Sequence, residues 1–84
     1  MLSNSSPADV HGVVLFRSVH GALAAERLLL AAKIGHKLIP VPTHLSSNCG
    51  FCLRFEWDDR ERVEGLLDRE ALGIEGIERL EAHR

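Results

Sequence analysis

The clearest pattern in the chain runs from Phe51 to Trp57, where Phe51, Leu53, Phe55 and Trp57 alternate with Cys52, Arg54 and Glu56. A period of two marks a strand with one face buried. The apolar set predicts a face packed on helices, which leaves Cys52 and Arg54 together on the opposite, helix-free face. Within Gly12–Val19, Val13-Val14-Leu15-Phe16 is apolar on both parities, as a strand near the centre of a sheet would be. Between these strands a helical stripe of Ala22, Ala25, Leu28, Leu29 and Ala32 predicts a helix from about His20 to Lys33, with Ser18 as N-cap and Gly35 as its stop. His36–Val41 reads as a further strand. Pro40 and Pro42 stand two apart, so both missing N–H groups fall on one side of it, which assigns it to a sheet edge. Asp58 followed by Glu61 resembles a capping box opening a second helix, about Asp59–Leu72, with Val63, Leu66 and Leu67 inward. Gly73 and Gly76 break it, and Ile77–Ala82 is read as a fourth strand.

The order β-α-β-β-α-β predicts an α+β fold. With right-handed crossovers it is a ferredoxin-like sandwich, two helices on one face of a four-stranded antiparallel sheet. That topology puts the first and third strands in the centre and the second at an edge. Residues 1–11, rich in serine and holding Pro7, read as a flexible tail, and 12–84 as a single domain. With 84 residues the core is small, since a chain of this size buries only about 60% of its unfolded surface.

Charge and composition mostly exclude. A formal charge of -2 supplies no basic field for nucleic acid and no polybasic membrane anchor. The apolar region Ala22–Ala32 is interrupted by Glu26 and Arg27, so no segment is read as spanning a bilayer. Met1–Ser6 lacks the basic and apolar regions of a signal peptide, which makes the cytoplasm the expected compartment. No glycine-rich phosphate loop is present, and the acidic residues of Asp58–Arg69 read as a solvated helix face.

The candidate chemistry lies in Pro40–Phe55, which carries both cysteines, Cys49 and Cys52, in a C-x-x-C spacing. That spacing points to redox, sulfur or metal chemistry, because a bridge closing so short a loop removes little unfolded-state entropy. In the predicted topology, the end of the first strand, the start of the first helix and the loop before the third strand share one rim. Ser18 and His20 are therefore expected beside Ser46, Ser47 and Cys49. A helix N-terminus favours an anion, and a thiolate or terminal persulfide is one. Gly50 permits close approach of a substrate to Cys49. Arg54 can stabilise an anion on the open face or pair with a carboxylate.

Ser18-Val19-His20, the helix residues Ala22, Leu23, Glu26, Leu28 and Leu29, then Leu38-Ile39-Pro40-Val41-Pro42, Leu45-Ser46-Ser47-Asn48-Cys49-Gly50 and Leu53-Arg54-Phe55 together resemble the selenium/sulfur carrier protein-like family. These are short bacterial proteins named for their occurrence beside selenium and sulfur-transfer genes. The likeness covers about Gly12 to Trp57 and is most specific from Pro42 to Gly50. It implies a persulfide or perselenide on Cys49, a loop shaped by Ser46, Ser47 and Gly50, and Cys52 as a resolving thiol. The partners implied are sulfur or selenium donor and acceptor proteins, with no cofactor, in a relay rather than a turnover enzyme.

Two other readings stay open. Cys49 and Cys52 with His44 supply three ligands for zinc or copper, one short of a structural zinc site unless two chains combine. Metal chaperones of ferredoxin-like fold place their C-x-x-C before the first helix, where this chain has Ser18-Val19-His20. Alternatively the domain is an interaction module, with a homodimer through the open sheet face or the edge strand.

Overall fold

The computed structural model describes residues 10–81. Its elements are β1 (Val10–Phe16), α1 (Val19–Ala31), β2 (His36–Pro40), β3 (Phe51–Glu56), a 3₁₀ turn (Trp57–Asp59), α2 (Arg60–Leu66), α3 (Arg69–Leu72) and β4 (Ile74–Glu81). The four strands form one antiparallel sheet in the order β2-β3-β1-β4. The fold class is α+β. As expected, β1 and β3 are central and β2 is an edge. The tail expected over residues 1–11 lies mostly outside the described residues, as does the last residue of the predicted fourth strand.

Each strand residue chooses a face by parity. Val14 and Phe16 of β1 and Leu53 and Phe55 of β3 turn towards the helices and are sealed by Ala22, Ala25 and Leu29 of α1, Val63 of α2, and Leu67. Their neighbours Val13, Leu15 and Cys52 turn the other way and form a second, smaller cluster. Gly12 pairs with Phe55 across the sheet and leaves room for that ring, whose atoms a Cβ would strike. Burial at about 25 cal/mol per Å² of apolar surface makes the helix side the main source of stability.

The first helix matches the expected span, but its ends differ from the reading. Ser18 is the N-cap residue, yet its side chain makes no capping bond. The stop is Lys33 rather than Gly35. Lys33 adopts φ 61°, its N–H donates to the Leu30 carbonyl (3.0 Å), and the Ile34 N–H donates to the Leu29 carbonyl (2.9 Å). This is a Schellman closure with a lysine in the left-handed position that glycine usually fills. It holds because Ile34 and Leu29 are buried in the same cluster.

The second helix is two helices. Asp58 and Glu61 form no capping box: Asp58 lies inside the 3₁₀ turn, and neither Glu56 before that turn nor Asp59 before α2 makes a side-chain capping bond. At Leu67 the chain turns extended, with φ -96° and ψ 125°, and Leu67 is buried. Asp68 then caps α3, its carboxylate accepting from the N–H groups of Glu70 and Ala71 at 3.0 Å each. Gly73, at φ 65°, ends α3 and launches β4, three residues earlier than the expected Ile77. Trp57, expected in the strand, begins the 3₁₀ turn and stacks on Phe55 with ring centroids 6.2 Å apart.

Candidate functional site

Ten residues, 41–50, join β2 to β3. The Val41 N–H donates to the Gly50 carbonyl (3.1 Å), prolonging the ladder by one bond past Pro40. Because Val41 points its donor at β3, the ring nitrogens of Pro40 and Pro42 occupy the outer side of the edge, as the sequence indicated. A turn follows, in which the Leu45 N–H donates to the Pro42 carbonyl (3.0 Å). It carries Val41 and Leu45 onto the helix-free face, where they pack with Ile39 and Leu80 against Val13, Leu15 and Cys52.

The loop then returns to the rim. The Ser47 hydroxyl donates to the Phe16 carbonyl at 2.7 Å, at the end of β1, and its oxygen accepts from the Cys49 N–H at 3.3 Å. Asn48 clasps Glu75 of β4, with 2.9 Å from Nδ2 to Oε2 and 3.4 Å from the backbone N–H to Oε1. Gly50, at φ 83° with nothing within 4 Å of where a Cβ would stand, provides the left-handed step from loop into strand. Cys49 thus stands two residues from a serine bonded to the last residue of β1, and Ser18, the cap of α1, follows that residue by two.

The two thiols have different surroundings. Both are free. Cys49 is half-buried and packs against the helix-side core. Cys52 has no exposed surface and belongs to the cluster beneath the loop. Burial, with a smaller contribution from Cys49, pushes the Cys52 thiol up from 9.0 to about 11. A thiol that holds its proton so firmly, with no path to solvent, is a poor nucleophile. Parity put Cys52 on the helix-free face correctly, but that face is not open there, so a role as an accessible resolving thiol does not fit.

The remaining expected residues separate. Ser47 is joined to Cys49 by the bond described, and Ser46 beside it is exposed. Ser18 and His20 are exposed and line a depression of about 310 Å³ between α1 and α3 with Arg17 and Glu70, which neither the loop serines nor Cys49 enter. Arg54 lies five residues along the chain from Cys49, in the second half of β3 and on its helix-free face. Phe51, expected in the core, is 45% exposed at the start of β3, two residues from Cys49. Sequence reading missed Glu75, the partner of Asn48, since a lone exposed glutamate on a strand carries no mark of a loop clasp.

His44 lines a shallow depression with Arg79, Leu80 and Glu81. Among the described residues, no three His, Cys, Asp or Glu side chains come together as metal ligands, so the expected His44, Cys49 and Cys52 set is not assembled. No helix among the described residues is long and apolar enough to cross a membrane.

No curated protein and no solved structure matches the chain. A family profile does, described as Putative Se/S carrier protein-like, and it aligns with residues 11–79, a span that reaches into all four strands and holds the pinned loop and both cysteines. The chain belongs to that Se/S carrier protein-like family.

Proposed function

We propose that the protein is a sulfur or selenium carrier that holds a persulfide or perselenide on Cys49 and passes it on by thiol exchange. The observation that carries this reading is the contrast between the thiols: Cys49 is partly open on a loop pinned to the rim by Ser47, and Cys52 is sealed. The family's name is consistent with it, as is the four-stranded antiparallel sheet with helices that holds the loop at its rim.

In the step proposed, the Cys49 thiolate attacks the terminal sulfur of a donor persulfide. A sulfur–sulfur bond forms at Cys49 as the donor's bond breaks, and the donor departs as its thiolate. An acceptor thiolate repeats the exchange in the other direction, and no net oxidation occurs. Ser47 and Gly50 fix the loop, and Phe51 offers apolar surface to a visiting protein. Donor and acceptor proteins are the partners, and Cys52 is a structural residue.

Incubation with a cysteine desulfurase and cysteine, followed by peptide mass spectrometry, tests this. The expected result is one added sulfur atom on the Cys49 peptide, lost in Cys49→Ser and kept in Cys52→Ala. An unmodified Cys49 peptide in the wild type overturns it.

A further inference from the structure

The end of the sheet farthest from Cys49 carries a local conflict. Lys37 of β2 and Arg54 of β3 are direct cross-strand partners. Opposed residues of an antiparallel pair share a face with Cβ atoms about 5 Å apart, and like charges placed so destabilise the sheet. Among the described residues, neither side chain has a carboxylate within ion-pair distance. The nearby acids are otherwise occupied. Glu56 meets His11 at 3.5 Å, and Glu26 meets His36 at 3.7 Å. Glu78, across Val13 from Arg54, leans towards Gly76, with Oε2 3.4 Å from where a Cβ would stand there. Arg54 is half-buried, so its side chain is partly held in place against the sheet.

These cations line a depression of about 250 Å³ with His11, His36 and Glu56. We propose that this depression is an anion site, in which Lys37 and Arg54 together hold a phosphate-type dianion, free or carried on a larger ligand. The guanidinium supplies a planar fork for two oxygens and the ammonium a mobile third donor. Two positive charges in opposition are balanced by a doubly negative guest better than by one carboxylate. A rule of sheet construction broken without internal compensation is the kind of local inconsistency that functional sites carry. The site is separate from Cys49 and does not depend on the carrier reading.

Thermal unfolding of the full chain in inorganic phosphate, at ionic strength held constant with chloride, tests it. Phosphate at about five times its dissociation constant should raise the wild-type midpoint by ~4–8 °C. Lys37 is exposed, so Lys37→Gln should fold; it should raise the phosphate-free midpoint by relieving the repulsion, and abolish the phosphate response. Cys49→Ser should respond as the wild type does. Amide shifts on adding phosphate should be confined to the neighbourhood of Lys37 and Arg54. Adenosine monophosphate distinguishes the source: a larger shift than phosphate indicates a phosphoryl group on a larger ligand, an equal one the free ion. Equal phosphate responses in wild type and Lys37→Gln, or none in either, overturn the proposal.

Discussion

The two faces of the sheet are built from the same strands but closed by different means. One is covered by helices, whose regular stripes bring Ala22, Ala25, Leu29 and Val63 onto Val14, Phe16, Leu53 and Phe55. The other is covered by an irregular loop that contributes only Val41 and Leu45. Each face receives one cysteine from the same short stretch of chain. The helix side takes Cys49 at its margin and leaves it partly open, and the loop side takes Cys52 at its centre and closes it completely. The accessibility of a thiol here is decided by how far inside its cluster it sits, and the loop closes over Cys52 as completely as the helices close over their own face.

The strongest test of that contrast is alkylation of the native protein. Cys49 should react at the rate of a partly exposed thiol, and Cys52 at least ~100-fold more slowly, limited by opening of the loop. Equal rates would show that the loop does not seal its face. Stability should follow the same division. Phe55→Ala is expected to cost ~3–5 kcal/mol and Leu45→Ala about 1 kcal/mol in urea unfolding, because a half-buried loop leucine loses less contact than a sealed aromatic. Similar costs would make the loop an equal part of the core.

The buried thiol also sets a pH dependence. Its folded value lies above its ordinary one, so its burial stabilises the fold fully below pH 9.0 and that contribution is lost as pH rises towards about 11. The stability of the wild type relative to Cys52→Ala should therefore fall by about 2 kcal/mol across that window, as measured by urea unfolding at each pH. A constant difference would mean that Cys52 reaches solvent. The smallest effect expected is at the end of α1, where Lys33→Gly should stabilise the helix-covered side by ~0.5–1 kcal/mol by relieving a left-handed lysine.

Much of this arrangement was legible from residue pattern, and the parts that were not share a cause. The central strands, the edge prolines and the rim position of the cysteine loop follow from periodicity and connection rules, which act over a few residues. The split after Leu66 did not follow, because Asp58 and Glu61 offer a cap-like spacing while the working cap, Asp68, stands inside an apparently continuous helical stripe. Its role depends on Leu67 being drawn into the core. Lys33 displaced Gly35 as the stop for the same reason, since Ile34 must reach Leu29. The sealing of Cys52 depends on a loop folding back over the sheet, and parity assigns a face without saying what covers it. Parity places Arg54 on the helix-free face with Cys52, as expected, but the closure of that thiol leaves Arg54 no exposed sulfur to serve.

The prolines of the β2 margin have a consequence for assembly. Because Pro40 and Pro42 present no hydrogen on the outward flank, a second chain laid alongside would find successive rungs of the ladder missing. Growth of the sheet through that border lacks two neighbouring donors, which disfavours a twin molecule or an aggregating strand at the loop end of β2.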